Sequence, residues 1–221
     1  MKQKIKNCLL PKEYWENEFA QGWKNGHTPN CHLLGFLNGY EIGKQILDIG
    51  CGDGRHLVPM AIAGYQMTGL ELTLSGIETT QKKLADHETS AKIIQGDFHQ
   101  LPFEDESFDS AISIQTLHYN DWEGARKSFR EITRVLKSGG FFFFRARSER
   151  GHWRETDEAI SDKGITRREY RGVEKFVVIV HDYTLSELEE LASENGLTIL
   201  SAHDEDQKGL PGQWNVVFQR N

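Results

Sequence analysis

From about residue 46 onward, short apolar runs alternate with stretches whose apolar residues recur at helical spacing, the pattern of βαβ units around a parallel sheet. Ile46-Leu47-Asp48-Ile49 predicts a first strand that runs directly into a cluster of glycines. A helix is expected over 56–63 with Gly64 just past its end, and Pro59 fits there only near the first turn. Residues 65–70 predict a second strand ending at Glu71, 74–87 a second helix, and 91–95 a third strand ending at Gly96-Asp97. A fourth strand follows over 108–114, with Asp109 and Ser113 interrupting an apolar run. Asp121 is the expected N-cap of a helix whose positions Ala125, Phe129, Ile132 and Val135/Leu136 share one face. Ser138-Gly139-Gly140 is expected to stop that helix, and 141–144 to form the fifth strand.

Beyond residue 145 the pattern changes. Arginines at 145, 147, 150, 154, 167, 168 and 171 interleave with acids at 149, 155, 157, 158 and 169. Mixed signs read first as a solvated, mobile insertion, with an anion-binding lid as the sharper alternative. Apolar residues resume at 176–180, and Thr184-Leu185-Ser186-Glu187 reads as a capping box opening a helix that ends near Gly196. Residues 197–201 and 215–219 predict the closing strands. With no repeat and no low-complexity linker, one domain is expected over 1–221: an N-terminal helical cap (1–43), a core (44–147), an insertion or lid (148–175) and a C-terminal β-α-β ending (176–221).

Composition narrows the class. Of 221 residues, 38% are hydrophobic and 27% charged, a globular balance that excludes wholesale disorder. A net charge of -7 argues against a nucleic-acid partner, because Lys and Arg supply affinity for phosphate backbones. Cys8, Cys31 and Cys51 have no CxxC spacing and suit reduced thiols. No apolar run approaches the ~18–20 residues of a membrane helix, so no membrane insertion is expected. The lysine-rich start is followed by Cys8-Leu9-Leu10 and Pro11, too short for a secretory core, and a cytoplasmic location is the expectation. His27, Cys31 and His32 lack a fourth ligand at a recognisable spacing, so no metal is expected.

The chemistry concentrates in Asp48-Ile49-Gly50-Cys51-Gly52-Asp53-Gly54-Arg55. Glycines between a strand and a helix adopt conformations closed to other residues and let a ligand approach the main chain. A dinucleotide fingerprint would need Gly where Arg55 stands, and a phosphate-binding P-loop is absent. Asp48 and Asp53 would repel a pyrophosphate but suit an ammonium or sulfonium. Glu71, at the end of the second strand, can accept hydrogen bonds from a ribose diol, and Asp97, after the third, from an adenine amino group. Each carboxylate alone reads as a cap or a surface charge; together they line up along the edge where open α/β sheets bind ligands.

The stretch 46–55 closely resembles the first motif of class I S-adenosylmethionine-dependent methyltransferases. Gly96-Asp97-Phe98-His99-Gln100-Leu101-Pro102-Phe103 and the following loop resemble the adenine-contacting segment of the small-molecule branch, of the methyltransferase type 11 kind. Val135-Leu136-Lys137-Ser138-Gly139-Gly140 is similar to the approach to the fifth strand, so the likeness covers about 44–147. The resemblance implies a Rossmann-like, doubly wound α/β fold: a mainly parallel seven-stranded sheet with its last strand antiparallel and helices on both faces. It implies S-adenosylmethionine as cofactor and S-adenosylhomocysteine as product. By it, Gly50 and Gly52, with Cys51 between them, line the methionine part, and Asp48 faces the ammonium. Glu71 holds the ribose, Leu72 lies against the adenine, and Asp97 and Phe98 frame the other side of the base. Gln115 and Thr116 close on the sulfonium end, and Arg55 reaches the carboxylate.

Methyl transfer from a sulfonium is an in-line displacement in which alignment supplies most of the catalysis, with a general base where the nucleophile must lose a proton. His118 and Tyr119, just past the fourth strand, are the candidates for that base, with His152 and His181 behind them. Trp15 and Trp23 at the N-terminus and Trp153 in the insertion are candidate walls of an acceptor pocket. The plainer reading of the N-terminal segment is a helix packed on the sheet. No Asn/Asp-Pro-Pro-Tyr/Phe motif for amino-group methylation follows residue 114, and no Pro-Cys dipeptide offers a cytosine-type thiolate, so a small-molecule acceptor of O, N or S type is expected. The rival readings are a NAD-dependent oxidoreductase and a catalytically silent cofactor-binding module acting through a protein partner.

Overall fold

The structure is a computed structural model that describes residues 30–150, 158–159, 165–171, 176–205 and 212–221. The helices are α1 (Cys31–Gly39), α2 (Leu57–Ile62), α3 (Leu74–Asp86), α4 (Trp122–Val135) and α5 (Leu185–Glu194). The strands are β1 (Gln45–Ile49), β2 (Gln66–Glu71), β3 (Lys92–Gln95), β4 (Phe108–Ile114), β5 (Leu136–Arg147), β6 (Glu158–Ala159), β7 (Ile165–Arg171), β8 (Phe176–Asp182), β9 (Leu197–Glu205) and β10 (Gln213–Arg220). Seven of them form one sheet in the order β3-β2-β1-β4-β5-β10-β9. Neighbours from β3 to β5 pair in parallel, and β10 runs antiparallel to both β5 and β9. This is the Rossmann-like sheet with an antiparallel last strand.

The sheet is covered on both faces because its strands alternate between two cores. Leu47, Ala111, Phe142, Phe144 and Phe218 join a cluster with Phe129 and Ile132 of α4 and Leu188 and Leu191 of α5. Ile46, Ile112, Phe143 and Val217 point the other way, to Phe36 of α1, Leu57 of α2 and Leu84 of α3. Phe129 is the hub of the first cluster, with Phe142, Phe144 and Phe218 rings at 5.5–5.7 Å.

Caps fall where side-chain chemistry puts them. Asp121 accepts from the Gly124 amide at the start of α4, and Thr73 from that of Gly76 at the start of α3. Thr184 and Glu187 form both bonds of a capping box at α5. Pro59 falls in the first turn of α2, where a missing N–H costs nothing. Asp109, which interrupts the apolar run of β4, binds the Lys44 and Gln45 amides at 2.9 Å and Lys137 at 2.6 Å, anchoring the start of β1.

Two local expectations change. Ser138-Gly139-Gly140 does not end the helix: α4 stops at Val135 and β5 begins at Leu136. Phe108 pairs with Leu136 but Ser110 with Phe141, so the glycines loop out of register with β4, and Gly139 takes φ +76° to do so. The charged stretch after residue 150 contains β6 and β7, and residues 176–182 pair antiparallel with β7 in a separate three-stranded sheet. Backbone pairing is indifferent to charge, so the three arginines and one glutamate of Ile165–Arg171 do not prevent a strand.

Candidate functional site

The turns that follow β1, β2, β3 and β4 meet at the carboxyl edge of the parallel strands around a cavity of about 360 Å3, within the usual size range of small-molecule sites. The turn after β1 is possible only for glycine: Gly50, Gly52 and Gly54 have φ of +72°, +55° and +78°. A Cβ on Gly50 would collide with the Thr116 side chain from the end of β4.

Most of the turn's amides are already held inside the protein. Gly50 and Cys51 donate to the Leu70 carbonyl at 2.8 and 3.1 Å, Gly52 to Glu71 Oε2 at 3.0 Å, and Gly54 to the Cys51 carbonyl at 2.9 Å. A pyrophosphate site needs those N–H groups aimed at the ligand. This turn is instead an acidic, hydrogen-bonded shelf.

Glu71 is buried, with Oε1 accepting from the Thr73 amide at 2.9 Å and hydroxyl at 2.7 Å. Asp48, in mid-β1, is 2% exposed, and its Oδ2 has no hydrogen-bond partner among the described residues. Burial pushes the Asp48 carboxyl up to about 7; Arg55 pulls against that, and Glu71 and Asp53 add to it. Burial also pushes the Cys51 thiol up, which makes it inert packing in the turn. Asp97 is half exposed and lines the cavity; burial acts to raise its pKa, but hydrogen bonds from His99 outweigh it and hold the carboxyl below its usual range.

Gly50, Cys51, Gly52, Arg55, Glu71, Leu72, Asp97, Phe98, Gln115, Thr116 and Tyr119 all line this one cavity. Asp48 lies behind the turn, close enough to Arg55, Glu71 and Asp53 to feel their charges. Gln115 takes the left-handed φ of +62° at the end of β4 and sends its amide to Gln213 of β10. His118 and Tyr119 part company. Tyr119 reaches the cavity and packs on Val178 and Val180 of β8. His118 is 1% exposed, does not line the cavity, and its carbonyl accepts from the His181 amide of β8 at 2.8 Å. Trp15, Trp23, Trp153 and His152 lie outside the described residues.

Four lining residues carry chemistry that strand-end acids do not signal. His99 bridges Asp97 and Asn120. His56 is buried with Nε2 unpartnered among the described residues, and burial, with Arg55 adding to it, lowers it to about 3, so the ring is neutral. Arg145 enters from β5, its guanidinium bound to Asn215 and, at 3.0 Å, to Glu205, which also meets His32. Asn30 caps α1. Arg145 lies opposite Ile114, the last residue of β4, so it reaches the same carboxyl edge as Glu71 although β5 itself runs on to Arg147.

Residues 47–144 match the family model described as "Methyltransferase domain". A sterol 24-C-methyltransferase of Gibberella zeae is 38% identical over 120 residues, which is 50% of this chain and 30% of the relative. A phthiotriol/phenolphthiotriol dimycocerosates methyltransferase of Mycobacterium ulcerans is 30% identical over 144 residues, 60% of this chain and 51% of the relative. The chain thus spans about a third to a half of the length of these relatives. In fold, the chain is similar to magnesium protoporphyrin IX methyltransferase from Synechocystis, solved with bound SAM, at TM-score 0.69 and 14% identity, with 98% of this chain and 100% of that chain covered.

Proposed function

We propose that the chain is a methyltransferase of the family whose domain model matches residues 47–144, and that it transfers a methyl group to an apolar, lipid- or sterol-type small molecule. S-adenosylmethionine is the cofactor. The observation that carries the reading is the single cavity that Glu71 and Asp97 share with the glycine turn. The donor set fits the cofactor: the Asp48 Oδ2 oxygen, buried and without a hydrogen-bond partner among the described residues, two further acids, and a turn whose Gly50, Cys51, Gly52 and Gly54 amides are held inside the protein. The same facts disfavour a nicotinamide dinucleotide.

Glu71 would accept from the ribose hydroxyls, its orientation set in advance by Gly52 and Thr73. Leu72 and Phe98 would flank the base, and Asp97 would take its amino group. Asp48 would balance the ammonium and Arg55 the carboxylate, with Gln115 and Thr116 closing the methionine end. The bound cofactor supplies an electrophilic methyl on a sulfonium with a neutral leaving group. The protein's share is alignment, for which effective molarities of ~10⁵–10⁸ M set the scale. Of His118 and Tyr119, Tyr119 lines the cavity and would meet an acceptor there, and its packing on Val178 and Val180 makes that wall apolar. The sterol and phthiotriol chemistry of the relatives agrees with an apolar acceptor.

Calorimetry against S-adenosylhomocysteine and NAD, followed by transfer of labelled methyl to a panel of sterols, phenolic lipids, thiols and amines, tests the reading. Binding of S-adenosylhomocysteine and labelling of an apolar acceptor are expected. Tight NAD binding without S-adenosylhomocysteine binding would overturn it, and binding with no transfer to any acceptor would leave a silent module instead of an enzyme.

A further inference from the structure

His99 donates twice to one oxygen of Asp97, from its main-chain N at 2.8 Å and its ring Nδ1 at 2.6 Å, both to Oδ1. Those two bonds occupy the acceptor directions of Oδ1. Oδ2 takes no hydrogen bond from the described residues, and the side chain it belongs to is 51% exposed and lines the cavity. The ring of His99 is 9% exposed and held on its other sides as well. Nε2 meets Asn120 Oδ1 at 3.0 Å, and the face lies 4.5 Å from Phe98. Asn120 is fully buried and bonded to Ser128, whose hydroxyl returns to the Gly124 carbonyl at 2.8 Å. A Cβ on Gly124 would strike Asn120, so α4 presses this network from behind.

A half-exposed aspartate is ordinarily free to turn about its terminal bond. Here the bridge removes that freedom and leaves one oxygen facing the cavity. We propose that His99 is a positioning residue that fixes which oxygen of Asp97 meets the base, and so sets the preference of this site for an adenine over a hypoxanthine. The inference rests on the reading of Asp97 as the acceptor for the adenine amino group. A locked carboxylate accepts from an amino group and repels a carbonyl oxygen. A carboxylate free to swing toward solvent accepts less well and repels less.

The test compares S-adenosylhomocysteine with S-inosylhomocysteine, in which a carbonyl oxygen replaces the amino group, by calorimetry on the full chain. Wild type is expected to favour the adenine ligand by ~10–100-fold, the scale of a hydrogen bond to a charged group. His99→Ala is expected to narrow that ratio to about threefold, and His99→Gln, which keeps one donor toward Asp97, to restore part of it. A merely structural role would weaken both ligands alike and leave the ratio unchanged, and that outcome overturns the proposal. Should His99→Ala not fold, His99→Gln against wild type gives the same reading. Wild type that binds neither ligand overturns the cofactor reading itself, whereas wild type that binds both equally overturns the Asp97 assignment on which the proposal rests.

Discussion

Glu71 Oε2 accepts the amide of Gly52 at 3.0 Å, so the last residue of β2 grips the glycine turn that follows β1. The same carboxylate receives the Thr73 amide and hydroxyl on its other oxygen. One side chain therefore shapes the turn, starts α3 and faces the cavity. Glu71→Ala is expected to strand buried donors, costing about 1–3 kcal/mol, and to weaken S-adenosylhomocysteine at least ~10-fold. Urea unfolding and calorimetry on one preparation separate the two effects; unchanged stability would show that the grip on Gly52 contributes nothing to the fold.

Gly50→Ala combines a left-handed backbone with a collision against Thr116. Loss of cofactor binding and a lower melting temperature are expected. Adding Thr116→Gly removes the collision and leaves the backbone penalty of about 1–2 kcal/mol. The double variant is therefore expected to recover part of the melting temperature. A double variant less stable than Gly50→Ala would rule out the collision as the cause.

Asp48 links pH to both stability and binding. Its pKa rises from 3.8 to about 7 on folding, chiefly by burial. Between those values the native state holds a proton that the unfolded state has lost, so stability falls as pH rises through this window and levels above about 7. An ammonium beside the group favours its ionised form. S-adenosylhomocysteine is thus expected to bind more tightly as pH rises toward 8, with proton uptake by buffer near pH 6. Asp48→Asn is expected to flatten both profiles. Calorimetry in buffers of different ionisation enthalpy reads the proton directly, and a wild-type profile as flat as the variant's would refute the linkage.

Thr184→Ala removes the hydroxyl that accepts from the Glu187 amide at 3.2 Å and so opens the capping box of α5. A loss of about 0.5–2 kcal/mol is expected, seen as a lower melting temperature. The helix lies away from the cavity, so affinity for S-adenosylhomocysteine is expected to stay at the wild-type value.

Much of this molecule is written locally. Hydrophobic pattern separates the strands of the main sheet from the helices, because strands buried on both faces read as short continuous apolar runs while a helix buries a face every 3.6 residues. Asp121 and Thr184 announce their helices because a cap is a bond between residues three apart. The glycine turn, Glu71 and Asp97 are legible because a parallel sheet brings its strand ends together whatever the details of packing.

Other features depend on partners distant in the chain. His118 and Tyr119 are equivalent as text. Their fates diverge because Tyr183 holds the Leu117 carbonyl at 2.8 Å and the His181 amide holds that of His118, which turns Tyr119 toward the cavity. Arg145 joins the site through Asn215 and Glu205, residues of β10 and β9 at the far end of the chain. Residues 176–182 have the apolar look of a core strand, yet they pair with β7 outside the main sheet. Side-chain period shows that a segment has a face to bury, but which neighbour buries it is settled by long-range pairing and packing. That is why the glycines and acids around the cavity are readable from residue order, and the wall around Tyr119 is not.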